Sequence, residues 1–329
     1  MNWIQAVFLY LSPYTLKMTL VQLEYIIAVD TYKSFVMAAE KSFVTQPTLS
    51  MQIQKLEAAL GVRIFDRSKQ PIMPTDIGRA IINQARIVVK ESDKIKELIT
   101  ETKDELGGEI KIGVIPTLAP YILPKILGSF MEKYPKIKLQ IWESTTKKVV
   151  QELKLGLLDC GILSTPLEDD ELIEHRLFYE PFVAYISKDS LLNPKNTVTA
   201  AELLNEKLWL LNEGHCMRNQ VLNICMKKRI KFPEETLQYN TGSVETLKRM
   251  VDTNSGVTIL PELSISEFSG EELKRVRYFK SPEPVREISL VTTKNFLKKR
   301  AIDLLSKEIL SAVPEEYKTT KKKDLMLID

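Results

Sequence analysis

At Gly107-Gly108 the hydrophobic period of the chain changes, and no single architecture satisfies both sides of the change. Upstream, Ile81, Ala85, Val88, Ser92, Ile95, Ile99, Thr102 and Leu106 recur at alternating spacings of four and three. That is the heptad of a long helix over 76–106 that buries its stripe against a partner helix. Downstream, runs of strand length at 110–115, 138–143 and 160–163 alternate with helical stretches at 121–134 and 146–155. This βαβαβ order predicts a mostly parallel sheet with ligands favoured near strand carboxyl ends. Further strands are expected at 182–187, 208–211, 236–240, 256–260 and 287–293, with helices near Glu245 and over 297–311. One compact sheet does not hold so many elements. Two lobes are therefore expected, the chain crossing near Tyr179 and again near Pro282-Glu283-Pro284, with lobe I at 109–178 and 285–313 and lobe II at 179–284.

Ahead of the heptad the charge is concentrated. The whole chain of 329 residues carries a net +3, yet between Lys33 and Lys90 nine Lys or Arg face four Asp or Glu, a local surplus of +5. Ser34 can cap a short helix beginning at Phe35, and Ala38-Ala39 would let another helix approach closely. Thr45 can cap a second helix with Pro47 in its first turn, where a missing N–H costs nothing. Leu49, Ile53, Leu56 and Leu60 then make a buried stripe, and Gly61 ends the helix. The opposite face holds Pro47, Thr48, Ser50, Met51, Gln54 and Lys55. It is small, polar and free of acid, which suits an element entering the major groove of DNA. Residues 62–74 follow as two short extended pieces around a basic turn containing Arg67, a candidate wing.

Composition excludes several classes. Three cysteines and two histidines support neither a disulfide framework nor a clustered metal site, and neither a dinucleotide fingerprint nor a Walker loop occurs. No cofactor is expected. The apolar stretch at 3–11 is far shorter than the roughly 20 residues that span a bilayer, and no secretion signal is read. The expected compartment is the cytoplasm, where cysteines remain thiols. Regular patterning begins at Met18, so residues 1–17 read as a tail or an upstream start-site artefact. The Lys321-Lys322-Lys323 run falls in 314–329, read as a charged, solvated tail in which four bases from Glu315 onward balance four acids.

The scarce cysteines are informatively placed. Cys216 follows a predicted strand in Gly214-His215-Cys216-Met217-Arg218, at the start of a helix. The helix dipole, Arg218 and His215 could each favour its thiolate. Cys225 comes nine residues later. In one continuous helix the two would lie on opposite faces, about 13 Å apart, whereas a disulfide tolerates roughly 4.4–6.8 Å between Cα atoms. A bond between them would require the segment to unwind.

The N-terminal motifs Ala38-Ala39, Thr45-Gln46-Pro47-Thr48-Leu49-Ser50, Ile53-Gln54-Lys55-Leu56-Glu57, Leu60-Gly61-Val62, Phe65-Asp66-Arg67 and Thr75-Asp76-Ile77-Gly78 closely resemble the winged helix-turn-helix of LysR-type transcriptional regulators. Residues 214–220 with Cys225, together with Ile115-Pro116-Thr117, Leu158-Asp159-Cys160, residues 256–261 and Pro282-Glu283-Pro284, are similar to the peroxide-responsive members of that family. The resemblance implies an all-α winged helix-turn-helix at 18–75, a linker and dimerisation helix at 76–106, and an α/β, two-lobed, periplasmic-binding-protein-like effector domain at 109–313. It makes Cys216 the peroxidatic and Cys225 the resolving cysteine, with Thr117, Thr146, His215, Arg218 and Arg286 around the peroxide; Cys160 is read as packing. The partners it implies are double-stranded promoter DNA, hydrogen peroxide, further copies of the chain as a dimer of dimers, a dithiol reductant and RNA polymerase. The expected role is regulatory rather than enzymatic. Two readings compete with it: a LysR-type regulator that binds a small metabolite between its lobes, and a thiol peroxidase in its own right.

Overall fold

The computed structural model describes residues 18–101, 107–211, 216–226, 241–294, 296, 298–319 and 325–328. The chain divides into two compact units, Met1–Lys103 and Asp104–Asp329.

The first unit comprises helices α1 (Leu20–Tyr32), α2 (Phe35–Lys41) and α3 (Gln46–Leu60), strands β1 (Phe65–Asp66) and β2 (Met73–Pro74), and the long helix α4 (Asp76–Glu101). Each short helix starts on a hydroxyl. Thr19 forms a capping box with Gln22, Ser34 accepts the Met37 amide, and Thr45 accepts the Thr48 amide. Leu49, Ile53 and Leu56 of α3 are fully buried with Ile26 and Val29 of α1. β1 and β2 pair antiparallel as the wing. Gly78 has no alternative, because a Cβ there would stand 2.0 Å from the Ile64 carbonyl oxygen.

α4 packs the start of its expected stripe on its own domain. Among its described side chains Ile82 and Ala85 are buried in the same core as α1, with Ile81 and Val88 partly buried against it, and Arg86 reaches Asp30 at 2.9 Å. Packing on its own domain adds Ile82 to the expected Ile81, Ala85 and Val88. Farther along, Ile95 is 64% exposed within this chain. Thr102 and Leu106 lie outside the described residues.

The second unit is built on a ten-stranded sheet whose main path runs β4-β3-β5-β11-β6-β10-β7. In chain order it comprises β3 (Gly108–Val114), α5 (Ala119–Lys133), β4 (Ile137–Glu143), α6 (Thr146–Lys154), β5 (Cys160–Thr165) and β6 (Leu172–Ile186). Next come β7 (Thr197–Val198), α7 (Ala200–Leu203), β8 (Leu208–Trp209), α8 (Cys216–Met226), α9 (Val244–Thr253), β9 (Val257–Pro261) and a 3₁₀ turn (Glu262–Glu267). The chain ends with α10 (Gly270–Leu273), β10 (Val276–Phe279), β11 (Glu283–Thr293), α11 (Lys299–Ala312), α12 (Glu315–Thr319) and β12 (Leu325–Leu327).

The sheet is mixed, which corrects the mostly parallel expectation. β3 is parallel to β4 and β5, whereas β11 runs antiparallel to both β5 and β6. The expected strand at 182–187 is only the last third of β6. Its first part pairs with β11 and its last part with β9 and β10, so this one strand serves both lobes. Its length makes the crossing a continuous ladder rather than a hinge loop. The expected strand at 236–240 lies outside the described residues.

The reading of 314–329 as a solvated tail is also corrected. Tyr317 and Ile328 are 5% and 1% exposed, and β12 pairs parallel with β11. A run of four consecutive apolar residues, Leu325-Met326-Leu327-Ile328, outweighs the segment's high charge. The Lys321-Lys322-Lys323 run and residues 1–17 lie outside the described residues, and no described helix is long and apolar enough to cross a membrane.

Candidate functional site

In the first unit, Pro47, Thr48, Met51, Gln54 and Lys55 line the exposed face of α3, and Ser50 is half-buried beside them. Arg67 contacts both helices beside it while its side chain stays 38% exposed. Its guanidinium lies 5.0 Å from the Phe35 ring centroid, donates to Ser50 Oγ at 3.4 Å and pairs with Glu57 at 3.4 Å. It joins the base of the wing to the reading helix.

In the second unit, register sets both threonines beyond the same end of the sheet. β3 and β4 are adjacent and parallel, and Val114 pairs with Glu143 at their carboxyl ends. Thr117 and Thr146 each lie three residues past those ends, so both follow the carboxyl ends of adjacent strands. Thr117 is 1% exposed and held by Arg286, which donates to its Oγ1 at 2.8 Å and to its carbonyl at 3.0 Å. The Thr146 hydroxyl is buried with no hydrogen-bond partner in the described structure.

Arg286 is fully buried, and its charge is met by Glu180, also fully buried, at 2.7 Å. The two face each other in the antiparallel register of β6 and β11. Leu263 also donates its amide to Glu180, at 3.1 Å. Burial pushes the Glu180 carboxyl above the ordinary carboxylate range, opposed by the guanidinium and the Leu263 amide. Arg286, expected around the peroxide, bonds to Thr117 and Glu180. Glu180 escaped notice, although a lone acid in the apolar stretch 177–186 was the available signal.

α8 runs unbroken from Cys216 to Met226. Met217, Gln220, Val221, Ile224 and Cys225 form its buried face at helical spacing, while Cys216, its first residue, is half-buried. Gln220 donates to Ser164 Oγ at 2.9 Å, docking α8 on the carboxyl end of β5, the other neighbour of β3. Cys216 stands one turn before that dock. Arg218 turns back to the Leu211 carbonyl at 3.1 Å. His215 lies outside the described residues. Across the lobes, Tyr121 of α5 donates to Glu245 of α9 at 3.2 Å, and Glu245 in turn keeps the Tyr121 hydroxyl protonated well above its usual range, after burial.

None of the three cysteines is disulfide-bonded. Cys160 is fully buried in β5. Burial pushes the Cys225 thiol from 9.0 up to about 11, so at neutral pH it is held protonated. A raised pKa favours folding at low pH, and that contribution fades as pH rises from about 9 to about 11. Cys225→Ala should therefore show less alkaline destabilisation than wild type, by about 2 kcal/mol. Urea unfolding of both reduced proteins at either end of that window checks this; parallel losses would contradict it.

Residues 20–79 match the bacterial regulatory helix-turn-helix protein, lysR family, and residues 103–313 match the LysR substrate binding domain. The chain belongs to the LysR family. Among its relatives, the DNA-binding transcriptional dual regulator OxyR of Escherichia coli K12 is 36% identical over 278 residues, covering 83% of this LysR-family chain and 89% of that protein. A full-length OxyR variant from Pseudomonas aeruginosa superposes with a TM-score of 0.75 at 33% identity, over 89% of this chain and 98% of that one. An OxyR mutant from Corynebacterium glutamicum, bound to H2O2, superposes at 0.59 with 26% identity, over 89% of this chain and 92% of that one.

Proposed function

We propose that this LysR-family chain is a hydrogen-peroxide-responsive, cytoplasmic transcription regulator, switched by a reversible Cys216–Cys225 disulfide and binding promoter DNA through the exposed face of α3. One observation carries the reading: a half-exposed cysteine opens a helix whose other cysteine is buried, nine residues on and on the opposite face. The two thiols are thereby given different tasks. Cys216, half-buried at the head of α8, is assigned the attack on peroxide, with the Thr117 and Thr146 hydroxyls assigned to orient it, while Cys225 is buried and kept protonated until the helix opens. The OxyR relatives support the choice of oxidant.

The chemistry balances. The Cys216 thiolate attacks one peroxide oxygen; an S–O bond forms, the O–O bond breaks, and the departing hydroxide is protonated to water. Threonine hydroxyls can donate to one oxygen and accept from the other, aligning the O–O bond for in-line attack. The Cys225 thiolate then attacks the sulfenic sulfur; S–S forms, S–O breaks, and a second water leaves. α8 unwinds between the two cysteines. Repacking of the effector unit then alters how paired DNA-binding domains of a dimer of dimers address successive major grooves, and with them RNA polymerase. A dithiol reductant resets the switch.

The test is peroxide titration of the intact protein. One equivalent should remove two thiols per chain and join Cys216 to Cys225 in the peptide map, and the same dose should change the DNA footprint. Unaltered thiols, or a disulfide without any change in footprint, would contradict the reading.

A further inference from the structure

The matched LysR substrate binding domain ends at residue 313. The segment beyond it returns to the redox helix. In α12, Tyr317 stacks on Phe178 with ring centroids 6.3 Å apart and donates to Glu262 at 2.7 Å. β12 then lies along the start of β11, with Leu327 opposite Val285. The Ile328 amide donates to the Val285 carbonyl at 2.9 Å, one residue before Arg286.

The Ile328 carbonyl accepts a hydrogen bond from Gln220 Nε2 at 3.1 Å. Gln220 is 3% exposed, and the same nitrogen donates to Ser164 Oγ. A carbonyl only accepts, so the nitrogen of this amide must face it. One buried side chain, between the two cysteines in sequence, therefore ties α8 to β5 and to β12.

We propose that Gln220 and β12 form a latch that holds α8 in its thiol packing and opens when the Cys216–Cys225 disulfide forms. This rests on the peroxide reading above. A helix holds the two cysteines about 13 Å apart, so the bond requires the turns that include Gln220 to unwind. Gln220 then leaves its place, and Ile328 loses its partner. β12 is a three-residue edge strand, too short to hold by its ladder alone. A contact present only in the thiol form favours that form, and weakening it favours the disulfide by the same factor. Gln220 is thus a positioning residue that acts through the helix and sets the oxidation equilibrium.

The test equilibrates full-length wild type, Gln220→Leu and a chain ending at Thr319 in glutathione buffers of known ratio, and measures the disulfide fraction by alkylation and mass spectrometry. One hydrogen bond corresponds to roughly fivefold, about 1 kcal/mol. Gln220→Leu should shift the oxidation constant toward disulfide by about that factor, and the shortened chain by at least as much. Hydrogen exchange on wild type, which needs no variant to fold, should show the Ile328 amide protected in the thiol form and exchanging much faster in the disulfide form. If the disulfide forms but Ile328 keeps its protection and both variants keep the wild-type constant, the latch fails and the peroxide reading stands. If no Cys216–Cys225 bond forms at all, both fall.

Discussion

Cys216→Ser is expected to abolish the peroxide response, whereas Cys225→Ser should leave the first oxidation intact and remove only its persistence. The asymmetry follows from placement. Cys216 opens α8 half-exposed, whereas Cys225 is 2% exposed with its thiol pushed up to about 11. The thiolate is the species that attacks peroxide, so at neutral pH the buried thiol is both inaccessible and in the wrong protonation state. Without Cys216, oxidation of the chain should slow by on the order of a hundredfold, the scale set by losing an oriented nucleophile. Without Cys225, the sulfenic acid should form at the wild-type rate and be trapped by dimedone, yet no disulfide-locked state should accumulate. Stopped-flow peroxide consumption and intact mass read both outcomes. Oxidation of Cys216→Ser at the wild-type rate would reverse the roles; equal persistence of the oxidised state in Cys225→Ser would remove the resolving role.

Much of this arrangement was legible in the sequence because it is local. Thr45, Pro47 and Gly61 bracket α3 by cap chemistry, and the stripe of Leu49, Ile53 and Leu56 fixes which face is buried. The cysteine helix could likewise be placed from nine residues of spacing. What could not be read is what depends on register between distant strands. Glu180 and Arg286 are 106 residues apart and meet only because β6 and β11 align antiparallel. Thr117 and Thr146 follow adjacent strand ends only because β3 and β4 pair in parallel. Periodicity also truncated β6 to its most apolar third and hid β12 behind the lysines that precede it. In α4 docking on the core of the first unit buries Ile82 beside the expected Ile81 and Ala85. In each case tertiary packing extended a correct local tendency.

Arg286→Met should destabilise the second unit by about 3–5 kcal/mol, the usual cost of removing one partner from a buried ion pair. Its guanidinium donates through Nε to Glu180 at 2.8 Å, pairs with the same carboxylate through Nη2 at 2.7 Å, and supplies both bonds that fix Thr117. Methionine keeps much of the volume but leaves a carboxylate in a fully buried position, which must then take up a proton. Glu180→Gln on top of Arg286→Met removes that uncompensated charge and should recover about half of the loss, since neutral replacements of buried pairs are tolerated far better than half-pairs. The double-mutant cycle by urea unfolding gives the coupling directly; a single-variant cost under about 1 kcal/mol would show that the pair bears little of the fold. The same cycle separates stability from sensing. In the double variant the fold is largely restored, but nothing holds the Thr117 hydroxyl, so the peroxide reaction at Cys216 should stay slow while unfolding returns toward wild type. Recovery of both together would mean that Arg286 serves only the fold; recovery of stability alone identifies it as the residue that aims Thr117.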